Sequence, residues 1–278
     1  MRKADAVEII AQSGSIGAEI RGFDLSKKLS DDGFAQINQA FLDYQVLFFR
    51  EQRLDHQQYC DFASRFGPLQ EYIFAEGIEG FPYITEIVKS ENESEGFGSF
   101  WHSDSTYNDR PPKATLLYAR QLPPRGGDTL FSDMYAARAS LSEGMLQSLQ
   151  SLKVVNSASV LPRDEDIHQQ VKSRNSQLKH RQAIHPLIRS HDETGKQAIY
   201  VNGAHSLSID GMSAAESRPI LAYLCRLVEK PEFQFRLHWQ ENMLAIWDNR
   251  CTQHYALNDY QGYRRVMHRV IVEGGRPQ

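Results

Sequence analysis

The chain has 278 residues, with 31 Lys and Arg against 35 Asp and Glu and a formal net charge of −4. A mildly acidic chain with a pI near 6.2 lacks the basic footprint of a nucleic-acid partner, and no apolar run approaches membrane-spanning length. Hydrophobic content of 41% and charged content of 24% fit a globular protein, and no linker composition divides residues 1–278, so a single domain is expected.

Cys60, Cys225 and Cys251 are odd in number and far apart. They form neither a disulfide framework nor a zinc-ribbon spacing, which predicts a reducing, cytoplasmic setting. Asp5 and Glu8 interrupt any apolar stretch after Arg2 and Lys3, so no signal peptide is expected.

Residues 7–23 read as short strands broken at Gly14 and Gly17. Ser30 suits a helix N-cap, with Asp31 and Asp32 at the positive end and Phe34, Ile37, Phe41 and Tyr44 recurring at helical spacing. Val46-Leu47-Phe48-Phe49 is a continuous apolar run, read as a buried strand. Asp55 caps a second helix with Tyr59, Phe62 and Phe66 on one face, ended by Gly67-Pro68; His56, in its first turn, reads as a surface residue. Tyr83 to Lys89 alternates as a strand, and the polar stretch from Ser90 to Gly98 reads as a mobile loop. Ala114 to Arg120 is a core strand, Pro123 to Gly127 a turn, Asp128 to Phe131 the returning strand. Asp133 then caps an Ala/Leu-rich helix through about Leu149.

Residues 163–182 are the most polar stretch, which suggests a lid or mobile segment; His168 and His180 read as solvated. Ala183 to Arg189 and Gln197 to Val201 suggest a hairpin around Asp192-Glu193-Thr194-Gly195. Ser213 and Glu216 form a capping box opening a helix with Ile220, Leu221, Leu224, Leu227 and Val228 as its apolar positions. Phe233 to Trp239, Met243 to Trp247 and Arg264 to Val272 are three further strands. Many short strands with a few helices predict a mainly β fold with flanking helices, a sandwich or jelly roll, the double-stranded β-helix of cupin-like proteins.

Two stretches carry chemistry. Phe100 to Tyr107 places His102 and Asp104 two residues apart, which on an extended segment turns both to one side while Ser103 points away. Far downstream, Trp247 to His254 supplies a second histidine. Two imidazoles and one carboxylate form the facial triad of non-haem iron(II) oxygenases, so His102, Asp104 and His254 can hold one metal ion if the last strands run beside the segment after His102. Arg265 follows His254 by 11 residues and Arg269 comes four later, on the same side of one strand. A guanidinium inside a barrel must meet an anion. A dicarboxylate cosubstrate satisfies Arg265, and the second arginine implies an anionic main substrate. His268 alternates to the other side and reads as a core or interface residue, Trp101 and Trp247 read as packing, and nothing marks Cys251 as a nucleophile.

The stretches FWHSDSTY, RPPKATLLYARQLPPRGGDTLFSDMYAA, LAIWDNRCTQHYALNDY and YRRVMHRV, in that order and spacing, resemble the taurine dioxygenase / dichlorophenoxyacetate dioxygenase family of iron(II)- and 2-oxoglutarate-dependent oxygenases. The resemblance implies that His102, Asp104 and His254 bind Fe2+, that Thr129 and Arg265 hold the distal carboxylate of 2-oxoglutarate, and that Arg269 meets the acidic group of the substrate. It also implies O2 as co-reactant, decarboxylation of 2-oxoglutarate to succinate, and hydroxylation of an unactivated C–H in a small sulfonate, alkyl sulfate or aryloxyalkanoate. A homo-oligomer is expected on the same ground. Two positions depart from the pattern. Leu69 to Phe74 contains no histidine and carries Glu71, and His205 stands where the family often has Phe. His205 is expected to line the substrate pocket and donate a hydrogen bond there. The alternatives are the same chemistry on an amino acid or natural-product intermediate, and a metal- or ligand-binding barrel without turnover. A zinc hydrolase could use the same three ligands, but would need neither Arg265 nor Thr129.

Overall fold

A computed structural model describes residues 7–159 and 180–278. The order of elements is β1 (Glu8–Ala11), β2 (Ala18–Arg21), α1 (Asp31–Tyr44), β3 (Val46–Phe49), α2 (His56–Ser64), β4 (Leu69–Gln70), β5 (Thr85–Lys89), β6 (Ala114–Gln121), β7 (Thr129–Asp133), α3 (Met134–Ala139), α4 (Glu143–Leu149) and β8 (Lys153–Ser157). After the undescribed residues come β9 (Gln182–Pro186), β10 (Ile188–Ser190), β11 (Gln197–Ile199), β12 (Ser206–Ile209), α5 (Ala214–Leu227), β13 (Gln234–Leu237), β14 (Leu244–Asp248), β15 (Thr252–Ala256) and β16 (Arg265–Val272).

The large sheet runs β1-β2-β3-β14-β6-β16-β4, with β5 also on β16. The β2–β3 pair is parallel and the others are antiparallel. Both faces of its central strands are covered, which is why they read as unbroken apolar runs rather than alternating ones. Period-two alternation still sorts their side chains. Leu47 and Phe49, Leu116 and Tyr118, Leu244 and Ile246, Val270 and Val272 pack with Ile37 and Phe41 of α1 and Tyr59 and Phe62 of α2. Val46 and Phe48, Leu117 and Ala119, Ala245 and Trp247, and Met267 turn the other way, toward Phe131, Phe235 and Leu237. Those last three belong to a second sheet, β13-β7-β15. Odd-numbered Thr115, Arg265 and Arg269 therefore project into the space between the sheets.

Local signals place the helices. Ser30 accepts from the Gly33 amide at 3.0 Å and so caps α1, while Asp55 with Gln58 and Ser213 with Glu216 form capping boxes on α2 and α5. Tyr59 of α2 reaches through the sheet face with its hydroxyl to the carbonyls of Leu116 at 2.8 Å and His268 at 3.1 Å, pinning the helix to β6 and β16.

Several expectations are corrected. The helix expected from Asp133 to Leu149 is two helices, because Ser142 caps the second by accepting from the Met145 amide, and the chain turns at Ser140–Ser142. The strand expected over Phe233 to Trp239 narrows to β13, after a 3₁₀ turn at Pro231–Phe233. His56 is half-buried, not a surface residue; its ring lies 5.3 Å from that of His268 and 5.1 Å from Phe81. The polar segment 90–98 is a loop, tied down where the Ser94 carbonyl accepts from Asn258 and Gln261. Of the segment 163–182 expected as a lid, residues 163–179, with His168, lie outside the described residues. No helix among the described residues is long and apolar enough to cross a membrane.

Phe41 is fully buried between α1 and the large sheet, with its ring edge-on to Phe66 at 5.4 Å. Phe41→Ala is expected to lower stability by about 3–5 kcal/mol, read as a shift of the urea midpoint with unchanged slope.

Candidate metal centre

The site begins with one backbone contact. His102 and His254 form an isolated antiparallel bridge. The His102 amide donates to the His254 carbonyl at 3.1 Å and the His254 amide donates to the His102 carbonyl at 2.8 Å. A hydrogen-bonded pair of this kind aligns opposed side chains on one face, and the two imidazole centroids lie 4.1 Å apart. His254 sits on β15, a short polar strand that the sequence reading leaves unassigned and that forms by pairing with β7. As expected from alternation, Ser103 points away, donating to the Thr252 carbonyl at 2.6 Å. The chain then turns at Ser105, whose φ of 49° is left-handed, and brings Asp104 Oδ1 to 3.8 Å from His102 Nε2. One donor atom from each of His102, Asp104 and His254 lies within 4.8 Å of the other two.

The protonation states suit a cation. His102 Nδ1 lies 2.8 Å from the Phe100 carbonyl, which fixes the proton on Nδ1 and leaves the lone pair on Nε2. Burial lowers the pKa of His102 and pushes that of His254 well below the usual imidazole value. For Asp104, burial acts to raise the pKa, but His254, Arg269, His102 and the Thr115 hydroxyl outweigh it and hold the carboxyl at about 2. Two neutral imidazoles and one carboxylate are the donor set of a divalent iron site. His254 Nδ1 is buried without a hydrogen-bond partner among the described residues.

Neither inward arginine is fully paired. Arg265 and Arg269 are 8% and 5% exposed, and in each Nε and Nη2 are buried and unpartnered among the described residues. Burial lowers the Arg265 pKa, opposed by Tyr260. Gly127, at a φ of +74°, approaches so closely that a Cβ there would stand 3.3 Å from Arg265 Nε. Two residues on, Thr129 Oγ1 accepts from the Trp239 indole at 2.9 Å. An indole N–H can only donate, so the Thr129 proton stays free to donate elsewhere. The Arg269 guanidinium lies over the Tyr72 ring at 4.0 Å, with Phe97 at 5.5 Å, and its Nη1 is 3.9 Å from Asp104 Oδ1.

His205 lies beside the centre, its ring 6.4 Å from that of His102 and 4.9 Å from that of Tyr107. Its Nδ1 is 3.0 Å from Thr106 Oγ1. His268 faces the other side of β16, as expected, with Nε2 3.4 Å from Glu86.

Sequence reasoning missed Asp248, Asn249, Arg250 and His191. Asp248 accepts from Arg250 Nε at 2.8 Å and Nη2 at 2.7 Å and lies 3.0 Å from His191 Nε2. Arg250, 1% exposed, also bonds Asp192 and Glu193. The run Trp-Asp-Asn-Arg offered the signal, since an acid and a base two residues apart in an apolar strand end must find partners. His191, Asp248 and Cys251 are also clustered tightly enough to suggest a cation site, but the Arg250 guanidinium already neutralises Asp248 there. Burial pushes the Cys251 thiol well up, in keeping with the absence of a nucleophilic role.

The family model described as "Taurine catabolism dioxygenase TauD, TfdA family" matches residues 8–271. The chain belongs to this family. Among curated relatives, an alkylsulfatase of Acinetobacter baylyi is 32% identical over 94% of this chain and 83% of the relative. An alpha-ketoglutarate-dependent sulfate ester dioxygenase of Pseudomonas putida is 32% identical over 95% of this chain and 89% of the relative. Among solved structures, a putative alpha-ketoglutarate-dependent taurine dioxygenase from Burkholderia xenovorans superposes with a TM-score of 0.85 at 34% identity, covering 98% of this chain and 94% of that one. The protein is an alpha-ketoglutarate (2-oxoglutarate)-dependent dioxygenase, an oxidoreductase using Fe2+, 2-oxoglutarate and O2.

Removing one partner of a buried ion pair leaves the other charge uncompensated. Arg250→Met is expected to destabilise the fold by about 3–5 kcal/mol, measured by urea denaturation, with the Asp248–His254 turn losing amide-exchange protection first.

Proposed function

We propose that the enzyme hydroxylates an unactivated C–H bond next to the acidic group of a small organic anion, and that His102, Asp104 and His254 hold its iron. The observation that carries this reading is the His102–His254 bridge, with Asp104 beside it and two buried, incompletely hydrogen-bonded guanidinium groups facing the same space. Bound Fe2+ with 2-oxoglutarate and O2 supplies the oxidising power, 2-oxoglutarate being decarboxylated to succinate.

The chain's own residues bind and orient. Arg265 takes the distal carboxylate of 2-oxoglutarate, joined by the free Thr129 proton. This satisfies a buried guanidinium whose solitary burial is otherwise prohibitive. Arg269 takes the substrate anion, its plane fixed against Tyr72 and Phe97. His205 forms part of the pocket wall beside His102, turned toward Thr106. The absence of histidine in Leu69–Phe74 and the aromatic surroundings of Arg269 favour a sulfate ester, a sulfonate or an aryloxyalkanoate with an apolar body over taurine itself. When the hydroxylated carbon bears a sulfate-ester oxygen, the product separates into an aldehyde and sulfate. The facing sheets support a jelly-roll reading of the fold in one domain, and the enzyme is assigned to the cytoplasm, as a homo-oligomer on the family's pattern. The three cysteines are free, which suits a reducing compartment.

The test is direct. Anaerobic Fe2+ protein with 2-oxoglutarate is expected to develop a weak visible charge-transfer band, and a panel of alkyl sulfates, sulfonates and aryloxyalkanoates is expected to raise succinate formation. Arg265→Gln should raise KM for 2-oxoglutarate, and Arg269→Gln KM for the organic substrate, each by about tenfold or more, as expected for a hydrogen-bonded charge contact. No band and no succinate above background would remove the oxygenase reading of this site; swapped KM effects would reverse the two assignments.

A further inference from the structure

Four buried side chains form a directed hydrogen-bond chain that ends on Asp104. Trp247 Nε1 donates to Asn249 Oδ1 at 3.0 Å. Asn249 Nδ2 donates to Thr115 Oγ1 at 2.8 Å, and Thr115 Oγ1 donates to Asp104 Oδ2 at 2.6 Å. The Asp104 amide also donates to Asn249 Oδ1, at 3.4 Å. Thr115 and Asn249 are fully buried, and Trp247 and Asp104 are 2% and 5% exposed.

The direction of the chain follows from its two ends. An indole N–H is a donor only, and an ionised carboxylate is an acceptor only. With Trp247 donating, the Asn249 atom facing it must be oxygen, so its amide nitrogen faces Thr115. With Asn249 donating into Thr115, the threonine proton has one place left to go, Asp104 Oδ2. Every link has a single orientation; Trp247 and Thr115 lie opposite one another in the β14–β6 register, while Asn249, just past the end of β14, and Asp104 lie in turns. The other oxygen, Oδ1, is the one turned to His102 Nε2 at 3.8 Å and Arg269 Nη1 at 3.9 Å.

We infer that Thr115 is a positioning residue of the metal centre: its hydroxyl, oriented by Asn249 and Trp247, engages Oδ2 so that Asp104 presents one oxygen, Oδ1, to the metal. The inference rests on the proposed iron site. It explains why a threonine occupies an otherwise apolar inward row of β6, between Leu117 and the strand's start. A carboxylate held by one oxygen takes one metal position and leaves the others for 2-oxoglutarate and O2. A freely rotating carboxylate could close over two. Thr115 acts through Asp104 and touches neither substrate nor cosubstrate.

Thr115→Val keeps the shape and removes the donor; Thr115→Ser keeps the donor and removes the methyl. Mn2+ affinity of the full-length protein, without substrates, is read from the free-ion electron paramagnetic resonance signal, with thermal unfolding of the metal-free proteins alongside. Loss of an outer hydrogen bond to a metal ligand typically costs about 10–100-fold in metal affinity. Thr115→Val should therefore bind Mn2+ at least about tenfold more weakly, with a changed bound-ion spectrum, and Thr115→Ser should return within about twofold of wild type. If Thr115→Val does not fold, Thr115→Ala takes its place in the same comparison. Wild-type affinity in the valine or alanine variant, or equal weakening in the serine variant, would overturn the assignment. Failure of the wild-type protein itself to bind Mn2+ would instead count against the metal centre, so the two failures are distinguishable.

Discussion

The site depends on a pair of backbone hydrogen bonds, those exchanged by His102 and His254. They join a turn-bound segment after a polar loop to a five-residue strand more than 150 positions away. Backbone pairing fixes what the side chains alone could not. Two neutral imidazoles do not attract one another, and burial with no metal costs each of them hydration. The strand pairing of β15 with β7 holds His254 in place, and the bridge then holds His102 to it. Donor geometry is thereby set by the sheet before any cation arrives, which lowers the cost of ordering the ligands at binding.

The surrounding architecture concentrates charge where a dry interior would exclude it. The large sheet is apolar on its helix-covered face. Its inward face mixes Phe48, Met267 and Trp247 with Thr115, Arg265 and Arg269. Guanidinium groups left there incompletely hydrogen-bonded are unfavourable until anions enter, so the same two arginines give the pocket its preference for acidic ligands. Against burial, Asp104 draws its low pKa from His254, Arg269, His102 and Thr115, which ties the metal position, the substrate anchor and the hydrogen-bond chain into one electrostatic unit.

A second buried network does a different task. Asp248, Arg250, His191 and Glu193, with Lys113 2.8 Å from Glu193, close the turn between β14 and β15. The charges are matched and hydrogen-bonded, so the turn that delivers His254 is held by pairing rather than by apolar packing. In contrast to Arg265 and Arg269, Arg250 is fully engaged, and for that reason it is a structural residue of the site.

Much of this was written in local sequence. The capping residues Ser30, Asp55 and Ser213 marked three helix starts, and the spacing of His102 with Asp104 and of Arg265 with Arg269 put each pair on a common side, because alternation along a strand is a property of the chain itself. Composition determined the donor types as well: two imidazoles, a carboxylate and two guanidiniums can serve a metal and anions. What only the tertiary structure decided is who meets whom. The bridge to His254, the links from Trp247 through Asn249 and Thr115 to Asp104, and the pairing of Asp248 with His191 all cross long stretches of chain. Residue type sets whether a group donates or accepts, but its partner is chosen by strand register, and register is settled by packing of the whole sheet. The turning of His205 toward Thr106 came from the same source, a ring taking the hydrogen bond that the assembled fold made available.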